Sequence, residues 1–257
     1  MLLTIDCGNT NTVFAVYDGD VARGEWRIST DARRTADEYA VWLVQLMGLQ
    51  DLRREYVDGA VIATVVPGAL FALKTLCRRF FDADPLVVGD EGVKLDIKVL
   101  LDNPREVGAD RLVNAVAAHA RYPGDLILLD FGTATTFDVV NGKGDYVGGV
   151  IAPGINLSME ALHMAAAQLP RISVKKPATV IGKSTVPAMQ SGVFWGYVGL
   201  IEGLVARIAG EIGSKPTVVA TGGLAPLFID ATPVIDHLDA DLTVRGLVAI
   251  WRKNRPK

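Results

Sequence analysis

With 257 residues, half of them hydrophobic, the chain has ample core material for one large domain or two of ordinary size. A net charge of −3 with both signs interspersed argues against a nucleic-acid surface, which needs a basic stripe; the basic end from Arg252 to Lys257 reads as a solvated terminus. Two cysteines, Cys7 and Cys77, and three scattered histidines, His119, His163 and His237, offer neither a disulfide framework nor a His/Cys zinc site, which fits a reducing cytosol. Asp6 interrupts the N-terminal apolar run before a signal peptide could form, and no uninterrupted apolar stretch reaches membrane-spanning length. The expectation is a cytoplasmic, soluble chain that binds neither nucleic acid nor membrane.

The apolar run Leu2–Ile5 ends in Asp6, crosses Cys7-Gly8-Asn9-Thr10-Asn11-Thr12, and resumes as Val13-Phe14-Ala15-Val16-Tyr17. This reads as a β-hairpin whose loop gathers N–H groups, hydroxyls and amides beside one carboxylate, as a phosphate-binding turn needs. Val21 to Thr30 alternates as a third antiparallel strand. Thr35-Ala36-Asp37-Glu38 starts a helix carried on by Tyr39, Leu43, Leu46 and Met47. The nearly continuous apolar run Val57–Val66 suits a strand covered on both faces. Pro67-Gly68 opens a helix from Ala69 to Phe80, Pro85–Gly89 is a further short strand, and Gly92 to Leu101 extends outward as a strand or loop. A three-strand meander followed by alternating helices and strands indicates an α/β unit with a mixed sheet.

Gly108-Ala109-Asp110-Arg111 places an Asp and an Arg in the first turn of a small-residue helix that runs to Tyr122-Pro123-Gly124. An isolated pair of this kind is usually a cap beside a solvated cation. Pro123-Gly124 is the best boundary, giving domains over 1–122 and 123–257.

The second half opens by repeating the first. Leu126–Val140 matches the opening hairpin at an offset of 124, aligning Asp6 with Asp130, Gly8 with Gly132, Thr12 with Thr136 and Val16 with Val140. An offset near half the chain implies a duplicated domain, with a nucleotide expected in the cleft between the two turns. Paired glycines in Tyr146–Gly154 mark a bulge, a close ligand approach or helix packing. A helix is expected from Asn156 to Gln168. Gly182-Lys183-Ser184-Thr185 has the look of a Walker A ending but lacks the upstream glycine and the feeding strand, so it is not a P-loop. Thr185 stands near the start of a helix reaching about Ile212, in which Gly192, Gly196, Gly199 and Gly203 permit close packing against another element or subunit. Thr217–Ala225 is a strand turning through Gly222-Gly223, where backbone could lie flat on a nucleotide base or simply turn into a helix. The last helix is expected over Leu242–Arg252.

The Asp6–Thr12 turn, the Gly108-Ala109-Asp110-Arg111 box, Asp130-Phe131-Gly132-Thr133 and Gly222-Gly223, taken in order over the full length, resemble the type III pantothenate kinases of the actin/Hsp70/sugar-kinase superfold. The resemblance implies an α/β fold of two ribonuclease-H-like domains, each a five-stranded mixed sheet flanked by helices, and an activity that phosphorylates pantothenate with ATP in the first step of coenzyme A biosynthesis. It implies that Asp6, Cys7, Gly8, Asn9, Thr10, Asn11, Thr12 and Val13 surround the β/γ-phosphates, with Asp6 near Mg2+. Thr133 and Gly222-Gly223 would also contact ATP, and Asp130 would ligate K+ or NH4+. Asp110 would be the general base; Gly108, Ala109, Arg111 and Thr185 would contact pantothenate, and the protein would be a homodimer. Positioning, charge neutralisation and one carboxylate at the nucleophile are what phosphoryl transfer requires. One departure stands out: Ile97 to Pro104 lacks the Tyr that many relatives carry there against pantothenate. The alternative is a non-catalytic accessory or transcription-regulatory relative, disfavoured because Asp6, Asp110, Arg111 and Asp130 are all present.

Overall fold

Strand β1 (Leu2–Cys7) is largely buried on both faces because it lies inside a sheet, flanked by β2 (Asn11–Asp18) and β4 (Gly59–Thr64). The computed structural model describes residues 1–165 and 169–255. β2 pairs antiparallel with β1 and with β3 (Val21–Ser29), while β4 runs parallel to β1 and to β5 (Pro85–Val87), giving the order β3-β2-β1-β4-β5. One face is covered by α1 (Ala36–Gly48) and α2 (Pro67–Phe80), which bury Tyr39, Leu43, Met47, Leu73 and Leu76 against Leu3, Ile5, Phe14 and Ile62. α1 begins where expected: Thr35 caps it, and the Thr35/Glu38 pair forms a reciprocal capping box.

The opposite face holds Val61, Ala63 and Ala15 against α3 (Ala109–Arg121) and α7 (Leu242–Asn254), through Val113, Val244, Leu247 and Val248. Close approach is enforced by glycine. A side-chain carbon at Gly246 would lie 2.4 Å from the Val113 carbonyl oxygen, and one at Gly59 would lie 2.2 Å from the Trp251 ring.

The second sheet has the same plan. β6 (Leu126–Phe131) pairs antiparallel with β7 (Ala134–Val140) and parallel with β9 (Thr217–Gly222); β8 (Tyr146–Pro153) and β10 (His237–Leu238) form the edges. Its core gathers Ile127, Leu129, Phe137, Phe194, Ile201 and Phe228 from the sheet, from α5 (Thr185–Ile212) and from α6 (Ala225–Phe228). α4 (Ile155–Ala165) starts one residue before the expected Asn156; the expected end at Gln168 lies outside the described residues. Lys98–Leu101 is a loop with one β-bridge, Val99 to Tyr146.

The duplication is real, but its register corrects the constant offset. Asp6 pairs with Val13 across the first hairpin, whereas Asp130 pairs with Thr136 across the second. The first turn is therefore one residue longer, and Thr12 corresponds to Thr135, not Thr136, just as Val16 corresponds to Val139, not Val140. A gap inside a turn is invisible to an ungapped comparison.

By packing, the chain forms two compact units, Met1–Ile97 with Asp102–Ala117 and Asp241–Lys257, and Lys98–Leu101 with Ala118–Ala240. α7, which follows the second half in sequence, thus packs in the first unit. α5 is long and apolar enough, by length and composition, to cross a membrane. Yet Phe194, Tyr197, Val198, Ile201 and Val205 of that helix are core residues of the second unit.

Candidate active site

The first turn hangs between the ends of β1 and β2. Gly8 N–H donates to the Asn11 carbonyl (3.0 Å), closing a loop in which Asn9, Thr10 and Asn11 are exposed. Asp6 is half-buried at the end of β1, and Val13 half-buried opposite it. Cys7 and Thr12 point inward: both are fully buried, and the Thr12 hydroxyl donates to Cys7 Sγ (3.4 Å). Any contact of these two with a ligand would be made by backbone. Beneath the turn lies Tyr39, whose phenol is pushed up in pKa, chiefly by burial.

The Gly-Ala-Asp-Arg box opens α3 after the short helical turn Pro104–Glu106. The Arg111 backbone N–H donates to Asp110 Oδ1 (2.8 Å), fixing one carboxylate oxygen at the helix N-terminus. The box needs its glycine because a side-chain carbon at Gly108 would lie 2.6 Å from that oxygen and 3.1 Å from Val65 Cγ1. Val65 in turn donates its N–H to the Cys7 carbonyl (3.1 Å). Box and turn thus sit on either side of Val65, within one unit. α3 is held from behind by the Thr243 hydroxyl, which donates to Asn114 Oδ1 (2.7 Å), with Asn114 buried.

The second turn repeats the closing bond, Gly132 N–H to the Ala134 carbonyl (3.0 Å), with Gly132 and Thr133 exposed. Gly222 pairs in register with Phe131 and has φ +90°. A side-chain carbon there would lie 2.6 Å from Asp130 Oδ1, so a glycine is required on both backbone and steric grounds. Asp130 and Gly222 are therefore neighbours. Gly223 is exposed with nothing within 4 Å of an added carbon. Thr185 is exposed at the first position of α5.

Three residues outside the expected set shape these turns. Thr30, just after β3, donates its N–H to the Thr10 carbonyl (2.9 Å) and its hydroxyl to the Gly8 carbonyl (2.7 Å). Thr64 donates its hydroxyl to the Cys7 carbonyl (3.3 Å). Gly154, just after β8, donates its N–H to the Thr133 carbonyl (3.1 Å). Thr30 and Gly154 occupy equivalent places in the repeat, which is the signal that could have found them.

Among the described residues no three His, Cys, Asp or Glu side chains converge on a metal position. A divalent ion at Asp6 would therefore need phosphate and water to complete its shell, as Mg2+ does beside nucleotides. An oxygen donor such as Asp130 suits a hard monovalent cation equally.

The model of the type III pantothenate kinase family matches residues 2–207. A type III pantothenate kinase of Paramagnetospirillum magneticum is 68% identical over 254 residues, covering 99% of this chain and 98% of that protein. Among solved structures, a Campylobacter jejuni protein assigned to the Baf family of transcriptional activators superposes with a TM-score of 0.62 at 17% identity, covering 98% of each chain. An activator of 2-hydroxyisocaproyl-CoA dehydratase from Clostridium difficile with bound ADPNP superposes at 0.56 and 12% identity, covering 100% of this chain and 98% of its own. At these identities both structures show the fold alone.

Proposed function

The chain belongs to the type III pantothenate kinase family and phosphorylates pantothenate with ATP in coenzyme A biosynthesis; we propose that Asp110 is its general base. One observation carries this reading: the Asp110 carboxylate is held by the Arg111 N–H, and Gly108 beside it packs against Val65, whose N–H is bonded to the Cys7 carbonyl of the Asp6 turn. Asp110 takes the proton of the pantothenate primary hydroxyl as that oxygen attacks the γ-phosphorus, and the bond to ADP breaks. Arg111 holds the pantothenate carboxylate or the charge spreading over the transferring phosphoryl group, and Gly108, Ala109 and Thr185 line the acceptor. Such chemistry asks for positioning and charge neutralisation more than for covalent participation.

The exposed backbone of Asp6 to Val13 surrounds the β/γ-phosphates, Thr133 meets the nucleotide from the second turn, and Gly222-Gly223 lies along the adenosine. Asp6 would hold Mg2+ through the phosphates, and Asp130 would hold K+ or NH4+; when bound, these ions neutralise phosphate charge. The first unit thus carries one phosphate turn and the acceptor box, the second unit the other turn and the adenosine glycines. A homodimer through α5 is supported by Gly192, Gly196 and Gly199, which are exposed and have nothing within 4 Å of an added carbon. A chain of this composition works in the cytoplasm.

A coupled assay tests the reading. Purified protein with ATP, Mg2+, K+ and pantothenate should form phosphopantothenate, and Na+ in place of K+ should lower the rate sharply. A rate indifferent to that exchange would contradict Asp130 as a cation ligand. Phosphorylation of another acceptor, with pantothenate inert, would overturn the assignment.

A further inference from the structure

Thr30 belongs to no part of the kinase machinery described above, yet it donates two hydrogen bonds to the first turn and can accept a third from it. Its N–H donates to the Thr10 carbonyl (2.9 Å), its hydroxyl lies 2.7 Å from the Gly8 carbonyl as donor, and the same hydroxyl lies 2.9 Å from Thr12 Oγ1. A hydroxyl has one proton and two lone pairs. With its proton on Gly8, Thr30 Oγ1 can accept from Thr12, or Thr12 can spend its proton on Cys7 Sγ and accept none. In the first arrangement one side chain ties Gly8, the first residue of the loop, to Thr12, the second residue of the returning strand; in the second it holds the Gly8 carbonyl alone. The strap behind Thr30 is itself anchored: Arg34 Nη1 donates to the Ser29 carbonyl (2.7 Å), and Thr35 caps α1.

The repeat supplies an internal control. At the equivalent place Gly154 keeps the backbone bond to Thr133 but has no hydroxyl, and the Thr135 hydroxyl that corresponds to Thr12 is buried without a partner. A hydroxyl at position 30 is therefore not demanded by the hairpin fold, since the second hairpin forms without one.

We infer that Thr30 is a positioning residue for ATP, holding the Gly8–Thr12 turn in its phosphate-receiving shape. It acts through the turn and does not touch the substrate. The inference rests on the reading of Asp6–Val13 as a phosphate turn. Losing the hydroxyl frees the Gly8 carbonyl and lets the loop N–H groups drift, and small displacements of positioning groups cost rate out of proportion to their size.

The test is steady-state kinetics on Thr30→Val and Thr30→Ser with Mg2+ and K+ present, together with ATP binding by calorimetry and thermal melting of the free proteins. Val keeps the β-branched shape at a strand end and removes only the hydroxyl. The expected result is a fall in kcat/KM for ATP of about tenfold, the effect of losing one or two net hydrogen bonds. The pantothenate KM should hold, the melting temperature should fall by only about 2–4 °C, and Ser should restore the wild-type values to within about twofold. Thr30→Val with wild-type ATP kinetics, Ser as impaired as Val, or both substrates weakened together with a melting temperature lowered by more than that would each overturn the inference. Asp6→Asn separates it from its premise. If Asp6→Asn leaves ATP binding and turnover intact, the phosphate-turn reading falls and takes Thr30 with it. If Asp6→Asn impairs them and Thr30→Val does not, Thr30 alone is refuted.

Discussion

The two hairpin turns are copies that have been finished differently. Both begin with a carboxylate at the end of a central strand, and both close on a glycine N–H bonded to the carbonyl of the first residue of the returning strand, at 3.0 Å in each. The first is one residue longer and is tied by the Thr30 and Thr64 hydroxyls. The second puts glycines at both equivalent places, Gly154 and Gly222, and each glycine is pressed against the turn. Where the first turn is held by side-chain hydrogen bonds, the second is held by backbone fitted against backbone. The proposed phosphate turn would gain from the first device, and the proposed cation carboxylate Asp130 from the second.

Filling the second turn should do the most damage. Gly154→Ala sets a carbon 2.1 Å from the Thr133 carbonyl oxygen and 2.7 Å from that of Gly132. The backbone must shift, at a cost of about 1–3 kcal/mol. Denaturant unfolding should show that loss, together with weaker ATP binding, whereas Thr30→Ala at the equivalent place should cost less, about 0.5–1 kcal/mol for the lost hydroxyl. Equal losses in the two variants would break the distinction.

A smaller contrast lies inside the hairpins. Thr12 and Thr135 are equivalent and fully buried, but only the Thr12 hydroxyl has partners. Thr12→Val should therefore cost about 1 kcal/mol, while Thr135→Val, which removes an unsatisfied hydroxyl, should be neutral or stabilising. Equilibrium unfolding of the two variants reads the difference, and a Thr135→Val as costly as Thr12→Val would show that its hydroxyl is satisfied after all.

The smallest effect concerns the strap that carries Thr30. At its far end the Glu38 carboxyl is held below its ordinary value of 4.5, first by the Thr35 backbone N–H and then by the Thr35 hydroxyl. A depressed folded pKa means that the stabilisation is fully present above 4.5 and is lost as pH falls through the lower folded value. The melting-temperature gap between wild type and Glu38→Gln should thus be open at neutral pH and close in acid. A gap that persists in acid would remove the carboxylate from the account.

Much of this was legible in the sequence because it rests on local periodicity and composition. The capping residues at Thr35, the buried run at Leu2–Ile5 and the second Asp-led hairpin each announce themselves within a few residues. What stayed hidden depends on distant pairing. The offset of 124 mistook Thr136 for the partner of Thr12 because only the strand register reveals the extra residue in the first turn. Thr30 looked like the end of a strand, since nothing in its own neighbourhood says that it reaches Gly8. The return of α7 to the first sheet is likewise fixed by Gly59 and Gly246, whose need for space is evident only once Trp251 and Val113 are beside them.

The proposed mechanism rests on Asp110 as general base, and one paired measurement addresses it most directly: turnover and equilibrium ATP binding of Asp110→Asn. Loss of a general base should lower kcat by about 10²–10⁴-fold while leaving ATP affinity unchanged, because the carboxylate acts on the acceptor's proton and not on the nucleotide. An Asp110→Asn enzyme that turns over within a few-fold of wild type would contradict the assignment.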